Sequence, residues 1–131
     1  KALVIGADQI LECDGRWFEK PESLPLARKQ LEELSGKPHR LFSAVSVAFG
    51  DQVVWSHVDQ ASLAMRPLGS GFLDQYLGVM GARALSSVGG YQFEGLGAQL
   101  FNSIEGDHYT ILGLPLLPLL GFLRDNDVLE K

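Results

Sequence analysis

The chain has 131 residues, enough for one domain with a real core and too few for two. Hydrophobic residues make up 46% and charged residues 21%, the balance of an ordinary globular protein, and the formal charge of −5 argues against binding a nucleic-acid polymer through a basic face. A small anionic ligand stays possible, because a few lysines and arginines gathered in one cleft suffice.

Ala2-Leu3-Val4-Ile5 is a short apolar run that ends in Gly6-Ala7 with Asp8 next, and it predicts a buried strand of a parallel or mixed sheet. Asp8 would then stand at the strand's C-terminal end, where open α/β sheets bind ligands. Gln9 to Phe18 predicts a hairpin turning at Asp14-Gly15. Cys13, on its first strand, is the lone cysteine of the chain. It can form no intramolecular disulfide and lacks zinc-ligand spacing, which points to a structural thiol in a reducing, cytoplasmic setting.

A helix is predicted over Leu24 to Leu34, with Ser23 as N-cap, Pro25 in the first turn and Gly36 as the stop. Leu24, Ala27, Leu31 and Leu34 fall at helical spacing, and Arg28, Lys29, Glu32 and Glu33 form a solvated face. His39 to Phe49 alternates, Gly50-Asp51 turns the chain, and Gln52 to Met65 returns. Both faces of this hairpin are apolar or small, which predicts strands covered on two sides. Pro67, Gly69 and Gly71 mark a loop, and Ser70 to Met80 predicts a helix with Phe72, Tyr76 and Leu77 inward.

From Gly89 to Gly97 four glycines and one carboxylate, Glu94, fall within nine residues, a composition that lets backbone approach a ligand closely. A strand is predicted through Ala98 to Ile104, a turn at Glu105-Gly106-Asp107, and a further strand through Tyr109 to Leu112. The last helix is predicted from Pro115 to Leu123, largely buried, with a polar tail after it. The apolar stretch Ile111 to Leu123 is short for a membrane span and contains Pro115 and Pro118, so no membrane role is expected.

Three positions invite a chemical reading, and each keeps a plain alternative at this point. Asp8 is either a carboxylate for a metal or an attacking water, or the cap of a turn. Lys20 is either a cation beside a phosphate-binding cleft or an exposed lysine before Pro21. Glu94 either accepts from a base edge with adjacent donors, such as guanine's ring N–H and amino group, or is a loop carboxylate paired with Arg83 or a backbone N–H. His39, His57 and His108 are too dispersed for a metal site, and no Walker-type or dinucleotide fingerprint is present.

Taken together, Gly6-Ala7-Asp8, Asp14-Gly15, Lys20-Pro21, Leu34-Ser35-Gly36, Gly90-Tyr91 with Glu94-Gly95, Ile104-Glu105-Gly106-Asp107 and Gly113-Leu114-Pro115 resemble the Maf family of nucleoside triphosphate pyrophosphatases. Their order and spacing match along essentially the whole chain, as a single Maf-like domain over residues 1–131. The resemblance implies an α/β fold with an elongated mixed sheet flanked by helices, similar to inosine triphosphate pyrophosphatases. It implies a homodimer, a divalent cation (Mg²⁺ or Mn²⁺), and hydrolysis of a nucleoside triphosphate to the monophosphate and pyrophosphate. By the same resemblance Asp8 is the general base or metal-holding carboxylate and Lys20 a phosphate-side cation.

Within the family, Thr after the Asp and Gln at the position of Glu94 mark the dTTP/UTP-type branch. Gln9 and Glu94 here resemble the 7-methyl-GTP branch instead, and a carboxylate suits guanine's donor edge and a cationic methylated base. The other readings that the resemblance carries are a dTTP/UTP-type pyrophosphatase and a non-catalytic nucleotide-binding regulator of septum formation. The family's N-terminal strand and Ser-x-Ser-Pro-Arg-Arg-like loop are not among these 131 residues, so a chain incomplete at its N-terminus, with an uncertain activity of its own, is expected.

Overall fold

A computed structural model describes residues 2–131. It contains strands β1 (Leu3–Cys13), β2 (Arg16–Phe18), β3 (Pro38–Phe49), β4 (Gln52–Met65) and β5 (Phe101–Glu105), and helices α1 (Leu24–Leu34), α2 (Ser70–Met80), α3 (His108–Leu112) and α4 (Leu116–Asp125). Short 3₁₀ turns at Gly81–Leu85, Val88–Gly90 and Gly95–Leu100 join α2 to β5. The strands form one sheet in the order β2-β1-β3-β4-β5, flanked by helices, which is the α/β class the sequence predicts.

The pairings are antiparallel. β2 pairs β1 with Leu11 opposite Phe18, and β5 pairs β4 with Ser62 opposite Glu105. β1 and β3 run in opposite directions too, since Gln9 bonds Ser43, Glu12 meets Arg40 and Cys13 bonds Pro38. A parallel pair of the mixed sheet that the resemblance implies therefore does not lie among these strands.

The chain divides into two compact units, and β1, β3 and β4 each contribute residues to both. One unit comprises residues 2–9, Phe42–Ala61 and Gly106–Lys131; the other comprises Ile10–Leu41 and Ser62–Glu105. The second holds most of the buried apolar side chains, among them Leu11, Leu31, Leu34, Leu63, Leu73 and Leu100. Its local signals are strong. Asp14 and Gly15 both have positive φ (53° and 78°), the primed turn that matches strand twist. Ser23 caps α1 by accepting from the Leu26 N–H at 3.3 Å, and Ala27, Leu31 and Leu34 form its buried stripe. α1 packs on the turns at Gly81–Leu85 and Val88–Gly90. At Gly90 any side chain would meet the Ala27 carbonyl at 3.2 Å, so the turn comes that close only because it is glycine. Cys13 is buried, its thiol donating to the Pro38 carbonyl at 3.5 Å.

In the first unit a smaller core gathers Val45, Val47, Leu119 and Leu123, with Leu3, Trp55, Leu114 and Phe122 packed around them. Trp55 stacks on Phe122 with ring centres 5.0 Å apart.

Several expectations give way here. The run Val4-Ile5 is not buried: Val4 is 61% exposed, because the described chain covers one face of this strand only in its C-terminal half. The strand does not end before Asp8 but continues to Cys13, with β3 as its neighbour in the sheet. β4 leaves Val54 and Val58 exposed on one side, while the second face of β3, with Phe42, Ala44, Ser46 and Ala48, is half-buried. Tyr109 to Leu112 is a helical turn rather than a strand: the Asp107 side chain accepts from the Thr110 N–H and Gly113 closes it in the left-handed region. Gly95–Leu100 is 3₁₀, which shortens the strand predicted from Ala98. α4 buries only Leu119 and Leu123, leaving Leu117 outside.

Candidate functional site

Asp8 lies mid-strand with an exposed side chain, and its Oδ1 accepts the N–H of Gln9 at 2.9 Å. The local bond holds one carboxylate oxygen against the backbone and leaves Oδ2 facing outward as a general acceptor. Gln9 points the other way. Its Nε2 lies 3.0 Å from the Ile111 carbonyl and 3.2 Å from both the Thr110 carbonyl and the Ser43 Oγ, so its two hydrogens are shared among three acceptors. Ser43 in turn donates to the Thr110 carbonyl at 2.7 Å. Ser43 and Thr110 are fully buried, so these bonds act where water cannot replace them. A polar pin thus ties β1 to β3 and to α3 through the residue that follows Asp8.

Lys20 and Glu94 lie in the second unit. Lys20 is exposed two residues beyond β2, and the neighbouring Glu19 carbonyl accepts from Gln30 Nε2 at 2.8 Å, which ties this stretch to α1. Glu94 is exposed at the head of the Gly95–Leu100 turn and makes no capping bond. Arg83 is not its partner: that guanidinium donates to the Met80 and Val79 carbonyls. Among the described residues neither the Lys20 ammonium nor the Glu94 carboxylate has a hydrogen-bond or ion-pair partner. The loop around Glu94 is nonetheless tightly drawn, since a Cβ on Gly97 would stand 1.5 Å from the Gln92 carbonyl oxygen. Only glycine allows that crossing.

The same unit holds a buried aromatic pair. His39 Nε2 and the Tyr91 hydroxyl are 2.8 Å apart, and Phe101 packs on both rings. Burial holds the His39 imidazole down to a pKa of about 4 and pushes the Tyr91 phenol up, so both are neutral near pH 7. A surface depression of about 380 Å³ is lined by Glu12, Cys13, Asp14, His39 and Arg40, and contains none of the four candidate residues. Its charges are already matched. Glu12 accepts from the Gly15 N–H and from Arg40 at 2.8 Å, and these bonds hold its carboxyl below the usual range.

The pattern of the Maf-like protein family matches residues 1–126. The chain belongs to that family. This Maf-like chain is 55% identical over 125 residues to a nucleoside triphosphate pyrophosphatase of Paramagnetospirillum magneticum, covering 95% of the chain and 64% of the relative. It is 51% identical over 124 residues to a 7-methyl-GTP pyrophosphatase of Rhizobium meliloti, covering 95% and 62%. A 7-methyl-GTP pyrophosphatase of Brucella abortus is 52% identical over 123 residues, covering 94% and 62%. The chain thus spans just under two thirds of the length of these relatives.

The structure places Asp8 and Gln9 side by side in the first unit of the Maf-like chain, with Lys20 and Glu94 in the second. Among the described residues no cluster of three or more His, Cys, Asp or Glu side chains could enclose a metal ion. A single outward carboxylate such as Asp8 still suits Mg²⁺ or Mn²⁺, which protein sites commonly hold through one or two carboxylates together with substrate phosphates. Among the described residues no helix is long and apolar enough to cross a membrane. Sequence reasoning missed Ser43 and Thr110. A serine between Leu41 and Val45, on the apolar side of an alternating strand, is the signal that could have found the first.

Proposed function

We infer that this chain carries the Asp8 and Glu94 parts of a pyrophosphatase that hydrolyses 7-methyl-GTP to the monophosphate and pyrophosphate. The identity to relatives bearing that name, above 50% along nearly the whole chain, is the observation that carries the reading. The exposed carboxylates of Asp8, bonded only to the backbone N–H of its neighbour Gln9, and of Glu94 agree with it.

The reaction cleaves the α–β anhydride: a water oxygen forms the new bond to phosphorus and pyrophosphate leaves with the bridging oxygen. Asp8, through its outward Oδ2, takes the proton of that water or holds the cation. Mg²⁺ or Mn²⁺, when bound at Asp8, supplies charge neutralisation for the phosphates. Lys20 offsets charge on the departing pyrophosphate. Glu94 accepts from the guanine ring N–H and amino group, and its negative charge favours the methylated, cationic base. Gln9, with its amide committed to Ser43 and α3, serves by fixing the strand beneath Asp8. A homodimer in the cytoplasm completes the reading.

The test is a panel of nucleoside triphosphates with pyrophosphate detection, run on the protein as the cell makes it. 7-Methyl-GTP should turn over faster than dTTP or UTP; the reverse order sinks the base assignment. Asp8→Asn should lower kcat by about a hundredfold or more, the scale of a lost general base. Glu94→Gln should lower the preference for 7-methyl-GTP over UTP by at least about tenfold, the loss of a paired carboxylate acceptor.

A further inference from the structure

β5 occupies the outer edge of β4 only from Ser62 to Met65. Gly106 follows, close against Ala61 and the Gln60 carbonyl. Upstream, from Val53 to Asp59, the described chain adds no strand to that edge. The Gly50-Asp51 loop joins β3 and β4 by two residues, so Phe49 and Gln52 close the hairpin as a hydrogen-bonded pair. Bonding then alternates: even-numbered residues of β4 address β3, and Val53, Trp55, His57 and Asp59 turn their backbone N–H and C=O outward. An edge of this kind is a template for another strand. It carries no lysine or arginine, while Val53 is 66% exposed and Val58 63% exposed.

The residues along this edge read Gln-Val-Val-Trp-Ser-His-Val-Asp-Gln from Gln52 to Gln60, nearly the same pattern in both directions about Ser56. Antiparallel pairing of two identical strands has a two-fold axis, so each residue meets its mirror position. With the axis at Ser56, Gln52 faces Gln60 of the second copy, Val54 faces Val58, Trp55 faces His57, and Val53 faces Asp59. Valine then meets valine on the exposed side, in the closer, non-hydrogen-bonded class of pair. Moving the axis to Trp55 sets Asp51 against Asp59, two carboxylates. Moving it to His57 sets the two His57 rings against each other and parts the valines. The charges therefore favour the central register.

We propose that the β4 edge from Val53 to Asp59 is an interface for a second copy of this chain, joined antiparallel about Ser56. This names the surface for the homodimer put forward above and rests on that part of the reading, not on the pyrophosphatase activity.

Sedimentation velocity of the protein as the cell makes it tests it. The unaltered protein should run at twice its monomer mass. Val54→Lys with Val58→Lys opposes lysines across the axis and should raise the dissociation constant by about tenfold or more, and Val54→Glu with Val58→Glu should do the same. Both positions are exposed, so the fold tolerates the changes, and mixing the lysine with the glutamate variant should restore a dimer. An unaltered chain that runs as a monomer overturns the proposal and the homodimer together. A dimer that ignores both charge variants, or a mixture that stays monomeric, overturns the β4 interface while leaving a homodimer standing.

Discussion

The two units of this chain solve the same problem by different means. The second packs helices and 3₁₀ turns into a deep apolar core, with side chains such as Leu31, Tyr76 and Leu100 sealed from water, and sets Glu94 on a loop above it. The first has a thin core around Val45 and Leu119 and relies on a buried polar pin, Gln9–Ser43–Thr110, next to Asp8. Asp8 sits on a strand fixed by directional bonds; Glu94 sits on a loop whose crossing depends on one glycine. Position is held by hydrogen bonds in one unit and by steric fit in the other.

The strongest way to break this contrast is Gly97→Ala. A methyl 1.5 Å from the Gln92 carbonyl forces the Glu94 loop apart, at a cost on the order of 4 kcal/mol, read as a lowered urea midpoint. Little change would mean that the loop is not held by fit at all. The next effect is set by pH. His39 is buried with a pKa of about 4 against an ordinary 6.5, so its folded state favours the neutral ring. Its contribution is fully present above pH 6.5 and is lost as pH falls towards 4, about 3 kcal/mol in all. His39→Gln keeps a partner for the Tyr91 hydroxyl and should flatten the dependence of unfolding free energy on pH in that window. The smallest of the three effects falls in the first unit. Gln9→Leu leaves the Ile111 carbonyl without its donor and should cost about 2 kcal/mol. Emission from Trp55, stacked on Phe122 in the same unit, follows the loss.

How far the sequence carried each unit follows the same line. α1 was legible in full because its signals are local: Ser23 caps it, Ala27, Leu31 and Leu34 keep helical spacing, and Gly36 stops it. The two-residue turns at Asp14-Gly15 and Gly50-Asp51 were legible for the same reason. α3 was not. Tyr109-Thr110-Ile111 is β-prone by composition, and only the Asp107 cap and Gly113 make it one helical turn. The burial of Val4 was misread because a strand's exposed side depends on distant chain, which periodicity does not report. Asp8 and Glu94 stood out as carboxylates beside glycines. Gln9's inward aim could not be read, since it depends on Ser43 and α3 lying where only the folded sheet brings them.

Cys13 has a practical consequence. It is the lone thiol, it is buried, and burial pushes its pKa up, so it reacts slowly with maleimides and methanethiosulfonates. A cysteine introduced at an exposed position away from the β4 edge, such as Val79, would be labelled almost alone, without first removing the native one. Spin-label distances between two such chains could then map any assembly of this molecule directly.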